Sequence, residues 1–316
     1  MESSERAEIT QKTKRFFQVI RERGLIEAIN QTRRYLNGEL LKWRYGPGID
    51  VMNNDWDNLI LLDAYRYDYF EKYSRFDGDL SQVFSRGNNS PQFIKQNFSG
   101  RELHDTVYVT SNPHAKDIST DVFYKIEYLL DEWDSEVGTI LPEDVTKSAI
   151  EASNKYPEKR LIIHYMQPHD PHLGKTADKY RKRVETATEL DGSTNNTVRW
   201  PKTRFPELYK NGQISKEELE QSYIETIHEV EKSVEGLLPE LTGKTVISSD
   251  HGENLGENKS GVTTIEHSNN TKECLFVPWL ELPYNERKNI VKEEPVYFES
   301  PEQDKVEKQL TYLGYR

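Results

Sequence analysis

Thr245-Val246-Ile247-Ser248-Ser249-Asp250-His251-Gly252-Glu253 is a short apolar run that ends in a carboxylate and an imidazole. A run of this length, with β-branched residues and a turn signal beyond it, reads as a buried strand. The segment before it reads as a helix. Ser215 followed by Glu218 makes a capping box, and Leu219, Tyr223, Ile227, Val230 and Val234 repeat on one face until Pro239 and Gly243 turn the chain. Similar apolar runs lie at Leu59 to Leu62, Val107 to Thr110 and Leu161 to His164, with helical stretches between them. Buried strands alternating with helices predict an α/β fold, a largely parallel central sheet in a three-layer sandwich.

The metal-liking residues stand just past these runs. Asp63 follows Leu59-Ile60-Leu61-Leu62; His169, Asp170 and His172 follow the run ending at His164; Asp250 and His251 follow Val246 to Ser249. The carboxyl ends of parallel strands form the crevice in which open α/β sheets bind ligands, so these distant residues are expected to converge. A carboxylate at the end of a buried strand is costly unless paired or bound to a cation. Asp63 and Asp250 therefore call for a divalent ion, with His251 and His267 as further candidate ligands. Carboxylate and imidazole together suit zinc, manganese or magnesium, and calcium less well.

Ser249-Asp250-His251-Gly252-Glu253-Asn254-Leu255-Gly256-Glu257 resembles the metal-binding signature of the alkaline phosphatase/sulfatase superfamily, in its sulfatase-like branch. Leu61-Leu62-Asp63-Ala64-Tyr65-Arg66-Tyr67-Asp68 is similar to its first metal-ligand strand, and His164 to His172 to its Pro-His loop. Val277-Pro278-Trp279 resembles its late strand and Leu313-Gly314-Tyr315 a common ending, so the similarity runs from about residue 55 to 316. The resemblance implies an enzyme, a metal-dependent hydrolase or transferase of phosphate or sulfate esters. It also implies a nucleophile that ligates the metal. The matching stretch is Ser85-Arg86-Gly87-Asn88-Asn89-Ser90-Pro91, in which Ser90 is preferred to Ser85 because Pro91 suits the start of a helix whose N-terminus can face an anion. Asp63, Ser90, Asp250 and His251 would then surround one ion.

Formylglycine in the sulfatase branch needs x-Pro-x-Arg after the modified residue, and Ser90 is followed by Pro91, Gln92 and Phe93. An unmodified serine favours phosphoester chemistry. His169 and His172 are candidates for catalysis, as holders of substrate oxygens or as acids toward the leaving group, and with His267 they are candidates for a second ion. His104, His114, His164 and His228 read as ordinary hydrogen-bonded residues, and Arg66 as a salt-bridge partner or an anion holder. The expected substrate is a small-molecule, glycan or lipid-head ester. A different reading stays open from the Asn88-Asn89-Ser90-Pro91 surroundings: a catalytically inactive sulfatase-like binding or scaffold protein.

Composition sets outer limits. The net charge of −12 over 316 residues disfavours nucleic acid, whose phosphates are held by clustered Lys and Arg. One cysteine, Cys274, the lack of an apolar leader and the lack of a membrane-length apolar run lead to the expectation of a cytoplasmic protein. Residues 1–50 form an expected amphipathic helical segment, with Phe16, Phe17, Ile20, Leu25, Ile29, Leu36, Leu40 and Leu41 at helical spacing among basic residues, closed by Gly46-Pro47-Gly48. Packing on the main domain is the plainer expectation for it, and peripheral contact with a membrane the alternative. Residues 51–316 form the expected catalytic domain, with a polar insertion at about 174–214.

Overall fold

Leu59, Ile60, Leu61 and Leu62 are all fully buried, as an apolar run without polar alternation requires of a strand covered on both faces. A computed structural model describes residues 24–190, 204–259, 262–267 and 270–315, with 14, 17, 18 and 20–22 ahead of them. The centre of the polar insertion, Asp191 to Asn196, and Phe16 lie outside the described residues. The strands in chain order are β1 (Asn58–Leu62), β2 (Asp79–Phe84), β3 (Leu103–Thr110), β4 (Phe123–Tyr128), β5 (Trp133–Asp134), β6 (Thr139–Ile140), β7 (Arg160–Tyr165), β8 (Thr245–Ser248), β9 (Leu255–Lys259), β10 (Val262–Ile265) and β11 (Phe276–Glu281).

Seven of them make one sheet in the order β2-β11-β8-β1-β7-β3-β4. From β8 to β4 the strands are parallel, and β11 runs antiparallel between β8 and β2. Side chains alternate across the sheet. Ile60, Leu62, Val107, Val109, Leu161 and Ile163 join one core with Tyr223, Ile227, Val230 and Val234 of the Lys216–Leu237 helix. Leu59, Leu61, Tyr108 and Ile162 face the other core, with Phe93 and Phe98 of the Ser90–Phe98 helix. The fold is therefore the three-layer α/β sandwich that the strand and helix alternation predicts, and the capping box at Ser215 has both its bonds, 3.2 and 3.0 Å.

Register levels the strand ends. Leu62 pairs with Tyr165 and Leu61 with Ser248, so the residues just past β1, β7 and β8 open onto one edge of the sheet. The helix Leu25–Tyr45 leans on that body near β2 and β11, where the Tyr45 ring meets Phe84 and Phe276 at 5.8 and 4.9 Å.

Candidate functional site

Asp63 is the first residue beyond β1, and its N–H still donates to the Tyr165 carbonyl at 3.2 Å. The chain then turns at Ala64, φ +64°, a left-handed conformation that costs a non-glycine residue ~1–2 kcal/mol. Two bonds hold it there: the Ala64 N–H donates to Asp250 Oδ1 at 3.3 Å, and the Tyr223 hydroxyl donates to the Ala64 carbonyl at 2.6 Å. Asp250 reaches the same point from β8 and accepts the His251 N–H on Oδ1 at 2.8 Å. Asp63 Oδ1 and Asp250 Oδ2 are buried without a hydrogen-bond partner.

His251 Nε2 faces both of these orphaned oxygens, 3.3 Å from Asp63 Oδ1 and 3.5 Å from Asp250 Oδ2. Its Nδ1 lies 2.9 Å from the Gly252 carbonyl, which can only accept, so the proton sits on Nδ1 and the Nε2 lone pair points at the carboxylates. Ser90 opens its helix beside them, fully buried, with Oγ donating to Asp63 Oδ2 at 3.0 Å and 3.4 Å from His251 Nε2. The Asn89 side chain caps that helix by accepting the Gln92 N–H at 2.9 Å. Ligand atoms of Asp63, Asp250 and His251 all lie within 4.8 Å of one another.

Burial, and next the charge of Asp250, push the Asp63 carboxyl well above the usual carboxylate range. Burial would raise Asp250 too, but the His251 and His164 imidazoles outweigh it and hold that group low. Two buried carboxylates, each with an unpartnered oxygen aimed at one imidazole, are an expensive arrangement unless a cation lies among them. The residues thus fit a divalent ion, and the donors suit zinc, manganese or magnesium, with calcium less suited.

A second group adjoins the first. His169, Glu253 and His267 also bring ligand atoms within 4.8 Å, and the His267 ring is 5.0 Å from that of His251. His169 keeps Nδ1 against the Asp170 carbonyl, and burial followed by the neighbouring His267 and His251 holds it well below the usual imidazole range, so it is neutral. Tyr315 covers this group, its ring parallel to His169 at 5.8 Å and 5.2 Å from His267.

The structure separates several residues that the sequence grouped. His267 lies with His169, the pairing expected for a second ion, and with Glu253, and not in the group around Asp63. His172 reaches neither group: its Nδ1 is hydrogen-bonded to Ser222 Oγ at 2.7 Å, its ring packs between Phe205 and Tyr223, and burial lowers it to about 4, so it ties the loop to the Lys216–Leu237 helix. Ser85 is used structurally, donating to the Asp250 carbonyl and accepting the Gly87 N–H at 3.1 Å. Arg66 is engaged by Asp68 in two bonds, 2.9 and 2.7 Å, and by Glu257. Asp170 is taken by Arg204 and the Phe205 N–H.

Asn112 was not anticipated, yet its Nδ2 donates to Asp63 Oδ2 at 2.9 Å. It lies just past β3, so the strand-end reading that selected Asp63 and Asp250 extends to it. Glu253 was quoted only as part of the Asp250-His251-Gly252-Glu253 run, and its closeness to His169 depends on how two loops meet.

The sequence matches the Sulfatase family model over residues 63–292. No curated protein matches the chain. Among solved structures it is similar to the soluble domain of lipooligosaccharide phosphoethanolamine transferase A from Neisseria meningitidis, at 15% identity, TM-score 0.47, covering 71% of this chain and 75% of that one. It is also similar to the C-terminal periplasmic domain of phosphoethanolamine transferase EptC from Campylobacter jejuni (12%, 0.43, covering 71% and 77%). A third is the C-terminal periplasmic domain of EcEptC from Escherichia coli in complex with Zn (14%, 0.42, covering 74% and 75%). The cytoplasmic location expected from the sequence is corrected here, because two of these three domains are described as periplasmic, and neither a lone cysteine nor composition discriminates the compartment. With the match spanning residues 63–292 of 316, the chain belongs to the Sulfatase family.

Proposed function

We propose that this chain is a metal-dependent hydrolase or transferase of phosphate or sulfate esters, phosphate esters by preference, with Ser90 as its nucleophile. The observation that carries the reading is Ser90 Oγ, 3.0 Å from Asp63 and 3.4 Å from His251, beside two buried carboxylate oxygens that lack partners. A divalent cation held by Asp63, Asp250, His251 and Ser90 would supply the charge that favours the serine alkoxide and draws electron density from the transferred group.

Ser90 Oγ gives up its proton and forms the bond to phosphorus or sulfur, while the bond to the leaving alcohol breaks and that oxygen takes a proton. Water or a second hydroxyl then attacks the same atom and releases Ser90. Asn112 and Ser90 orient Asp63, and the carbonyl of Gly252 fixes the His251 ring. His169, Glu253 and His267 stand where substrate oxygens or a second ion would be met. The burial of Ser90 and His169 supports a site that excludes bulk water. The absence of Pro-x-Arg spacing after Ser90 supports the unmodified hydroxyl, and with it phosphoester substrates in the small-molecule, glycan or lipid-head class.

The test is turnover of p-nitrophenyl phosphate, bis-p-nitrophenyl phosphate, phenylphosphonate esters and p-nitrophenyl sulfate, with zinc, manganese, magnesium and calcium, by wild type and Ser90→Ala. Metal-dependent turnover that Ser90→Ala lacks is expected. Equal rates in the two proteins would end the Ser90 mechanism.

A further inference from the structure

Among its described residues, the helix Leu25–Tyr45 meets the body on the face of Gly38 and Tyr45. Gly38 and Ala28 are buried, and a Cβ at Gly38 would run into the Asn270 side chain. On the other side Leu25, Ile29, Leu36, Leu40 and Trp43 are 46–83% exposed. At about 100° per residue these five fall within an arc of about 60°, opposite Gly38, and form one apolar stripe about 30 Å long. Single exposed apolar side chains are ordinary, but a line of five is a patch. Past Tyr45, every exposed large apolar side chain among the described residues is a tyrosine: Tyr284, Tyr297 and Tyr312.

Charge follows the same division. Residues 12–45 hold nine Lys or Arg and three Glu, a net of +6, and the chain's −12 leaves −18 on the remainder. Arg33 and Arg44 are exposed along one border of the stripe. The acidic neighbours Glu22 and Glu39 have partners, Gln18 at 2.8 Å and Lys42 at 3.6 Å.

We infer that this face docks on an anionic lipid surface, with the helix lying in the plane of the interface. An apolar stripe with a basic border presents its hydrocarbon to the acyl boundary and its guanidinium groups to lipid phosphates. No described helix is long and apolar enough to cross a membrane. A two-fold contact between copies would set one basic helix against another, like charge against like. The body from residue 46 on, at −16, would be repelled by an anionic bilayer, which leaves the basic helix as the side that approaches.

Docking also bears on the substrate, and this part rests on the proposed function. Asn270, beside Gly38, accepts from Asn88 Nδ2 at 2.9 Å, and Asn88 lies in the loop that leads to Ser90. The docked helix and the loop that carries the nucleophile are thus joined through one side chain, which favours esters of lipid head groups among the substrate classes.

The test is co-sedimentation of the full chain with vesicles of phosphatidylcholine alone and of phosphatidylcholine with phosphatidylglycerol, at low and high salt. Wild type is expected to bind the anionic vesicles, at least about tenfold more weakly at high salt, in Leu40→Glu/Trp43→Glu and in Arg33→Glu/Arg44→Glu. Leu36→Ser/Leu40→Ser gives a milder pair, and matching thermal melts show that each variant folds. Failure of wild type to bind, equal binding to both vesicles, or unchanged binding by Leu40→Glu/Trp43→Glu would overturn the inference. So would a dimer of wild type that the same variant disperses, since a second copy would then cover the face. Turnover of a soluble nitrophenyl ester is expected to be the same in these variants as in wild type. Vesicle binding without turnover in any protein would defeat the proposed chemistry and leave the docking intact.

Discussion

Ser90 contributes a single hydroxyl to a fully buried position, so Ser90→Ala removes the proposed attacking atom while leaving the packing nearly unchanged. The account predicts that this variant melts within a few degrees of wild type and loses turnover by about a thousandfold or more, as measured by single-substrate kinetics. Asn112 acts one step away, by holding Asp63 Oδ2 at 2.9 Å. Asn112→Ala is predicted to weaken the metal about tenfold, seen as a higher metal concentration at half-maximal activity, and restoration by added metal would separate this from damage to Ser90. At this scale the sequence was most readable where position follows from the sheet. Asp63, Asp250 and His251 each stand beyond an apolar run, and parallel strands had to bring them together. His172, Glu253 and His267 lie in loops, and their partners, Ser222, His169 and one another, are set by tertiary contacts that no spacing in the sequence reports.

The Lys216–Leu237 helix covers the sheet through Tyr223, Ile227, Val230 and Val234 and also places the Tyr223 hydroxyl on the strained Ala64 turn. Its first turn rests on Ser215 and Glu218, which bond each other's backbone N–H at 3.2 and 3.0 Å. Ser215→Ala is predicted to lower stability by about 1 kcal/mol in urea unfolding, with Ser215→Asp close to wild type. An unchanged midpoint in Ser215→Ala would mean that packing alone holds this end. The elements that could be read were those with an undiluted signal: continuous apolar runs for β1, β3, β7 and β8, and a 3.6-residue repeat after a cap for this helix. β2 could not. Its sequence Asp79-Leu80-Ser81-Gln82-Val83-Phe84 is half polar because it is an edge strand, and its partner β11 carries Pro278, which tells nothing of direction.

Across the whole molecule, Asp57 joins the start of β1 to the start of β8 and to the segment after β11. It accepts from the Lys244 N–H at 2.8 Å and from Arg287 at 2.7 and 3.0 Å. Burial alone would raise this carboxyl, but Arg287 and the backbone N–H groups of Lys244 and Lys288 outweigh it and take it below the ordinary 3.8. In that window the folded protein binds fewer protons than the unfolded chain. The contribution is therefore complete above the unfolded value and disappears as pH falls through the lower folded one. Asp57→Asn is predicted to be less stable than wild type above pH ~5, with the gap narrowing below pH ~3 in chemical unfolding. A gap independent of pH would assign the effect to shape instead of charge. The compartment was a whole-molecule property that composition could not carry, since a lone cysteine and an acidic balance are compatible with either side of a membrane. The central claim, that Asp63, Ser90, Asp250 and His251 hold a divalent ion, is tested most directly by metal stoichiometry of the purified full chain after dialysis, beside Asp250→Ala. The account predicts at least one bound equivalent in wild type and at least about tenfold less affinity in Asp250→Ala. A wild type that retains no metal after loading, or an Asp250→Ala protein that retains as much, would contradict it.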